Sequence, residues 1–311
     1  MQTTLAMWSQ LLQASPALWM GVVFIISLLI GSFLNVVIHR IPIMLDRGWR
    51  AGAAEILAQK PLATEQIKDP AAAFNLVVPR SACPKCGAMI TSAQNIPVLS
   101  YLWLRGKCAN CRAPISARYP LIELATAVAS VVVAWKFGFT WQAGAALVFT
   151  WMLVSLSLID FDHQLLPDNM TLPLLWMGLL LSLAGPGSGQ SIEYSIPVDP
   201  RSSIIGATAG YLSLWSIYQL FKLLTGKEGM GYGDFKLLAA FGAWMGWQML
   251  LPIILLSAFT GAVVGISLIV IRGRDRNIPI PFGPYLAAAG WIALLWGPQL
   301  VDAYLRMSKL R

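Results

Sequence analysis

Residues 250–271 have the sequence LLPIILLSAFTGAVVGISLIVI, which contains no charged side chain. An α-helix needs about 20 apolar residues to cross a bilayer, so this run predicts a transmembrane helix. Seven more apolar runs occur, and the full set is 17–38, 120–136, 141–159, 171–186, 203–224, 236–248, 250–271 and 284–301. The sequence therefore predicts an all-α polytopic membrane protein with about eight transmembrane helices.

The composition indicates the same class of protein. Of the 311 residues, 57% are hydrophobic and 12% are charged. Soluble domains usually carry about 25% charged residues, so half that fraction argues strongly for a membrane protein. The first 20 residues contain no Lys or Arg. A cleaved signal peptide begins with basic residues, and we therefore expect the first apolar run to be retained as a helix.

The basic residues predict the orientation of the chain. The formal net charge is +8, and half of the Lys and Arg residues lie between Arg40 and Arg118, with others in short loops. Basic loops beside apolar runs follow the positive-inside rule, and this placement argues against nucleic-acid binding. We expect the segment 39–119 on the cytoplasmic side of a bacterial inner membrane and the loop 187–202 in the periplasm.

Three domains follow from this pattern. Residues 1–38 hold the first transmembrane helix, residues 39–119 form a cytoplasmic zinc-binding loop domain, and residues 120–311 form a membrane-embedded domain. The Ala-rich insertion 46–79 has the composition of surface helices. No internal repeat is evident in the sequence.

All four cysteines lie in the hydrophilic segment, as two CxxC pairs. Cys83 and Cys86 form the first pair, and Cys108 and Cys111 form the second. Each pair can form a tight turn called a zinc knuckle, and two knuckles supply the four thiolates of a structural, tetrahedral zinc site. The alternative is two redox or disulfide pairs, but a cytoplasmic location disfavours disulfides.

Acidic residues gather at two points where apolar runs meet loops. Asp160, Asp162 and Asp168 lie between the third and fourth runs, and Asp234 precedes the sixth. Ionisable groups at a membrane face suggest a function, and two close carboxylates share a proton in aspartyl hydrolysis. Gly231 and Gly233, beside Asp234, would let the backbone of an extended peptide approach the chain closely. The alternative, that these aspartates cap helices, stays open at this level.

Other catalytic arrangements find little support. The two histidines, His39 and His163, have no nucleophile motif beside them, and no phosphate-binding glycine loop is present. A proton-coupled transporter is a further alternative. In a transporter we would expect carboxylates at mid-bilayer and an inverted repeat, whereas these aspartates lie at loop–helix junctions and no repeat is visible.

The residues together resemble the type IV prepilin peptidases, a family of GxGD membrane aspartate proteases. The sequence GMGYGDFK at 229–236 carries the GxGD signature, and DFDHQLLPD at 160–168 matches the D-x-D-x4-P-D element of the family. The remaining similar elements are GSFLNVVIHRIP at 31–42, NIPVLS at 95–100, LRGK at 104–107, RYPLIE at 118–123 and IPFGPY at 280–285.

This resemblance implies a bifunctional enzyme. Such enzymes cleave the leader peptide of prepilins or pseudopilins after a glycine, at the cytoplasmic face, and methylate the new N-terminus with S-adenosylmethionine. These substrates belong to type IV pili and type II secretion. The alternatives are a protease without methylation and a non-enzymatic zinc-loop module.

The resemblance also implies roles for individual residues. Asp160 and Asp234 are the catalytic pair, because Asp160 has the family's spacing to Pro167. The supporting residues are Asp162, Asp168, Gly231, Gly233 and Lys236. Of these, Asp162 is the next candidate after Asp160 for the first catalytic aspartate. Methyl transfer is expected in the segment 39–123, with candidate residues Asn95, Arg105 and Glu123.

Overall fold

The computed structural model describes residues 2–58, 74–185, 196–272 and 281–307. These residues form α-helices joined by loops and two short 3-10 turns, and they contain no strand beyond two isolated bridges. The helices are α1 (Gln2–Ala14), α2 (Pro16–Ala58), α3 (Leu99–Trp103), α4 (Arg118–Phe137), α5 (Trp141–His163), α6 (Asp168–Ser182), α7 (Pro200–Thr225), α8 (Tyr232–Met245), α9 (Leu250–Arg272) and α10 (Gly283–Met307).

Six of the eight predicted apolar runs lie within helices, whereas 171–186 extends past the end of α6 and 236–248 past the end of α8. A count of eight transmembrane helices is not confirmed. Five described helical segments are long and apolar enough to cross a membrane, and they lie in α2, α4, α5, α10 and the segment Trp247–Ile271. Helices α6 and α8 have only 15 and 14 residues. At 1.5 Å per residue they reach roughly 22 Å, less than the hydrocarbon thickness. Helix α7 is long, but Ser, Thr and Gly dilute its apolar character.

The chain divides into two compact units, Met1–Val132 and Val133–Arg311. In the first unit, α2 runs to Ala58 with Pro42 inside it, so the predicted boundary at residue 38 falls within a helix. The apolar run ends there, but Ala, Leu, Arg and Glu favour helix and continue it. The predicted insertion 46–79 and loop 187–202 lie partly outside the described residues.

Helices α2 and α4 approach closely in the first unit. A Cβ atom at Gly31 would lie 2.8 Å from Cα of Glu123, so only glycine permits this approach. The side-chain amide of Asn35 donates to the carbonyl of Tyr119 one turn away (3.3 Å). The buried Arg40 donates to two backbone carbonyls in the segment 74–79 and thereby fixes the chain that leads into the first cysteine pair.

Helix α8 is the core of the second unit. Its residues are almost all buried between α6 and α7. Gly206 of α7 and Gly242 of α8 meet backbone to backbone, and small residues at such crossings are typical of membrane helices. The indole of Trp244 donates to the carbonyl of Leu174 on α6 (2.8 Å). These contacts hold α8, with Asp234 in its first turn, in one position.

Candidate active site

Helix α5 places Asp160 in its last turns. The helix ends at His163 because Gln164 adopts a left-handed conformation (φ 53°), and its amide donates to the carbonyl of Asp160 (2.8 Å). The Asp160 side chain is 6% exposed, whereas carboxylates are rarely so buried. Helix α5 therefore directs one carboxyl group into the interior of the second unit.

Helix α8 places Asp234 in its first turn. The helix begins at Tyr232, directly after Gly231. Gly233 packs on the loop that follows α5, where an added Cβ would lie 2.6 Å from Cβ of Leu166. The absence of a side chain at Gly233 thus allows the two aspartate-bearing segments to meet.

Asp160 and Asp234 are buried together. Asp234 is 7% exposed, and the two carboxyl groups interact electrostatically. The backbone of Gly231 hydrogen-bonds the carboxyl group of Asp234. The Oδ1 atom of Asp234 is buried and has no hydrogen-bond partner among the described residues. A buried carboxyl oxygen without a donor is costly, so a substrate or water partner is expected there.

Gly283, at the start of α10, is the third member of this site. Its amide donates to Oδ2 of Asp160 (3.0 Å), and a Cβ atom at this position would lie 2.6 Å from the same oxygen. The element IPFGPY at 280–285 resembles the family, but no role was predicted for Gly283. The available signal was the glycine itself, because a residue without a side chain permits the close approach of another group.

The other two aspartates lie outside the buried pair. Asp162 is exposed. Asp168 forms an ion pair with Lys236, whose Nζ lies 2.6 Å and 2.7 Å from its two carboxyl oxygens. This pair joins the start of α6 to α8, so Lys236 contacts Asp168 rather than a catalytic candidate.

The helix-cap alternative does not fit the geometry. The N-cap residues of α6 and α8 are Pro167 and Gly231, and neither provides a side-chain cap. Asp168 and Asp234 follow inside the first turn. The carboxyl group of Asp234 is therefore buried for a reason other than capping.

The first cysteine pair folds into a tight turn. The amide of Cys83 donates to the carbonyl of Ala88 (2.9 Å), and the amide of Gly87 donates back to the carbonyl of Cys83 (2.9 Å). Gly87 has a positive φ of 70°, which glycine adopts without strain. This turn directs both sulfur atoms of the pair to one side.

The second pair repeats the first turn, 25 residues later. The amide of Cys108 donates to Ala113 (2.8 Å), and the amide of Arg112 donates to Cys108 (3.0 Å). Arg112 has a positive φ of 60°, as Gly87 has in the first turn. The repeated CxxC spacing thus produces the same backbone turn twice, with Arg112 in the place of Gly87.

The four sulfur atoms form a cluster that fits a zinc ion. All lie within 4.8 Å of one another, and those of Cys83 and Cys111 are 3.8 Å apart. Sulfur atoms bound to one tetrahedral zinc at ~2.3 Å lie about 3.8 Å apart. The amide of Ala88 and the side chain of Asn110 lower the pKa of Cys86 to about 6. The cluster can hold zinc through four protein ligands, which leaves no open position for catalysis.

The methyl-transfer candidates have different surroundings. Glu123 is buried on α4, and its Oε2 atom accepts from the amide of Val98 (2.7 Å). Asn95 and Arg105 are exposed in the cysteine-containing segment. The structure does not bring these three side chains into one cluster comparable to the aspartate pair.

The described chain thus combines membrane-spanning helices, a buried aspartate pair and a four-cysteine cluster, which together define a multi-pass membrane protein with an aspartyl-type site. Residues 147–266 match the model of the type IV leader peptidase family, and residues 25–137 match the bacterial peptidase A24 N-terminal domain. With these matches and the relatives below, the chain belongs to the prepilin leader peptidase/N-methyltransferase family.

Several relatives carry the name prepilin leader peptidase/N-methyltransferase. The protein from Aeromonas hydrophila is 55% identical over 97% of this chain and 99% of its own length. The protein from Pseudomonas aeruginosa is 52% identical over 96% and 97%. That from Dichelobacter nodosus is 49% identical over 94% and 96%. No solved structure matches the chain. The predicted family and the prediction of an enzyme are confirmed.

Proposed function

We propose that this protein cleaves the leader peptide of prepilins or pseudopilins and then N-methylates the new N-terminus with S-adenosylmethionine. Both activities appear in the name of relatives that match nearly the full chain. The observation that carries the peptidase half is the joint burial of Asp160 and Asp234, from two different helices.

Asp160 and Asp234 act as the catalytic pair in this proposal. Two carboxyl groups at close range share one proton because both cannot ionise cheaply. The ionised member takes a proton from a water molecule, which attacks the scissile carbonyl carbon while the protonated member donates to the carbonyl oxygen. The proton gained from water passes to the leaving amine as the C–N bond breaks. One hydroxyl of the gem-diol intermediate returns its proton to the other carboxylate, which leaves a carboxylic acid product.

The hydrogen bonds of the pair suggest which member holds the shared proton. Asp160 accepts from the amide of Gly283, and an ionised carboxylate is the stronger acceptor. Asp234 has a buried oxygen without a donor among the described residues. We therefore assign Asp160 as the base that activates water and Asp234 as the acid that polarises the carbonyl.

Gly231, Gly233, Lys236 and Asp168 support this pair. Gly233 allows the loop at Leu166 to pack against α8, and Gly231 hydrogen-bonds Asp234. The ion pair between Lys236 and Asp168 joins α8 to the same loop region. Asp162, the competing candidate, is exposed two residues away from Asp160 and serves as a matched control.

The membrane and the orientation follow from charge. The basic residues between Arg40 and Arg118 support a cytoplasmic location of the segment 39–119 under the positive-inside rule. We place the protein in the bacterial inner membrane, with residues 1–38 as the first membrane helix, 39–119 as the zinc-binding domain and 120–311 as the peptidase domain. Both aspartates then face the cytoplasm.

The methyltransferase half rests on the names of the relatives. We assign it to the cysteine-containing segment with Asn95, Arg105 and Glu123. A zinc ion held by the four cysteines would keep this segment folded, as in small domains with little core of their own. Glu123 contributes by fixing the backbone at Val98.

Co-expression of the enzyme with a pseudopilin substrate tests the peptidase. Intact-mass spectrometry should show leader loss and one added methyl group with the unaltered enzyme. Asp160→Asn and Asp234→Asn should each abolish leader loss, while Asp162→Asn should retain it. Leader loss with the Asp160→Asn/Asp234→Asn double variant would contradict the assignment.

A second substrate separates the two activities. A mature pilin supplied without its leader and with a free N-terminal amine needs only methylation. The aspartate variants should still methylate it, because the cysteine-containing segment is unchanged. Cleavage without any methylation by the unaltered enzyme would favour the alternative of a protease alone.

A further inference from the structure

Helix α3 exposes an apolar face outside the predicted membrane spans. Leu99, Leu102 and Trp103 lie at positions i, i+3 and i+4, on one side of the helix, and they are 64%, 64% and 80% exposed. Three large apolar side chains on one exposed helical face are unusual in water and indicate a surface that is normally covered.

The opposite side of α3 packs on the turn at Gly106, which leads into the second cysteine pair. Gly106 lies against the ring of Tyr101, where an added Cβ would be 2.9 Å from the phenol oxygen. The amide of Gly106 also donates to the carbonyl of Tyr101 (2.9 Å). The exposed face therefore has a fixed direction.

A partly buried hydrogen bond sets the depth of α3. The amide of Val98, directly before α3, donates to Oε2 of Glu123 (2.7 Å). Helix α4 begins at Arg118 and is one of the helices suited to span the membrane. Glu123 lies five residues into that helix, or roughly 7.5 Å along its axis. The start of α3 therefore lies at the depth where the α4 span enters the bilayer.

The net positive charge around α3 favours contact with anionic lipids. Between residues 70 and 122 the sequence contains no Asp or Glu. It contains six basic residues there, namely Arg80, Lys85, Arg105, Lys107, Arg112 and Arg118. A zinc ion held by four thiolates would carry a charge of about −2, so the segment stays positive. Basic side chains beside an apolar face are typical of helices that lie on anionic membranes.

We propose that α3 is an interfacial helix, whose exposed face of Leu99, Leu102 and Trp103 inserts into the headgroup region of the membrane. The bilayer covers its apolar face, and the neighbouring cations contact anionic lipid phosphates. This anchors the cysteine-containing segment beside the membrane. The inference stands on the geometry of the first unit and does not depend on the proposed catalytic roles.

Fluorine NMR of the full chain in lipid nanodiscs tests this placement. Tryptophan is replaced throughout by 5-fluorotryptophan, and the Trp103 resonance is assigned by its loss in Trp103→Phe. Trp135, within α4 and 65% exposed, is the lipid-facing control. Trp49, 59% exposed, follows the apolar run 17–38 by roughly 16 Å along α2 and is the aqueous control. Each control is assigned by its own Trp→Phe variant.

Two paramagnetic agents distinguish the environments. A lipid with a nitroxide near the top of its acyl chain should remove the Trp103 and Trp135 resonances and spare Trp49. A water-soluble gadolinium chelate should remove Trp49 and spare Trp103. Loss of the Trp103 resonance with the chelate would overturn the proposal. A Trp103 resonance spared by both agents would also overturn it, because a protein partner would then cover the face.

The lipid composition tests the electrostatic part. Nanodiscs containing phosphatidylglycerol should show stronger nitroxide broadening of Trp103 than nanodiscs of phosphatidylcholine alone. The variant Arg105→Gln/Lys107→Gln should reduce this difference and leave the Trp135 resonance unchanged. Equal broadening in both lipids would overturn the role of the cations.

Discussion

The backbone amide of Gly283 donates a hydrogen bond of 3.0 Å to Oδ2 of Asp160, across 123 positions of sequence. This contact joins the start of α10 to the end of α5 at the buried aspartate pair. It also leaves no space for a side chain, since an added Cβ would lie 2.6 Å from the same oxygen. A glycine without any reactive group is thus part of the site.

We expect Gly283→Ala to abolish leader cleavage, because its methyl group would displace the Asp160 carboxyl group. Methylation of a mature pilin should persist. Gly144→Ala is the matched control on α5, where an added Cβ meets no atom within 4 Å. The measurement is the cleavage rate of purified enzyme, and near-normal cleavage by Gly283→Ala would contradict the assigned contact.

The two glycines of the GxGD signature should respond differently to the same change. At Gly233 an added Cβ would lie 2.6 Å from Cβ of Leu166, whereas at Gly231 the nearest atom is 3.8 Å away. Gly231 has a φ of −82°, which alanine adopts without strain. We therefore expect Gly233→Ala to lose cleavage and Gly231→Ala to retain most of it. Equal losses in both variants would show that the Leu166 contact does not decide the requirement.

The Lys236–Asp168 ion pair should contribute only modestly. The Asp168 side chain is 56% exposed, so solvent screens the pair, and such pairs contribute roughly 0.2–1 kcal/mol. We expect Lys236→Met to lower the cleavage rate by less than about tenfold, since tenfold corresponds to roughly 1.4 kcal/mol. Lys227→Met in the preceding loop is the control. A loss as large as that of Asp234→Asn would instead place Lys236 in the chemistry.

The cysteine cluster should bind one zinc ion per chain. Replacing Cys83 and Cys108 by Ser removes one ligand from each turn, and two remaining thiolates cannot form a closed tetrahedral site. We expect metal analysis of the purified variant to find almost no zinc. Ser81→Ala is the control, since its backbone contact with Ile90 is kept. Undiminished zinc in the cysteine variant would refute the site.

The fold class and the family were predictable because both rest on local sequence. A run such as 250–271 must be helical in a bilayer, since its backbone groups need internal partners. The cysteine spacing likewise specifies its ligands locally. The number of membrane-spanning helices was less predictable. Helices α6 and α8 are both short, and α8 is packed inside protein. Hydropathy does not distinguish a lipid-facing helix from a buried one.

By itself, the sequence determined that this protein is a helical membrane protein with a four-cysteine cluster and aspartates at two helix–loop junctions. Only the tertiary structure brought Asp160 next to Asp234, left Asp162 exposed, paired Asp168 with Lys236 and added Gly283 to the site. The physical reason is that burial and electrostatic interaction depend on how α5, α8 and α10 pack. That packing follows from glycine contacts between segments distant in sequence, which no local pattern encodes.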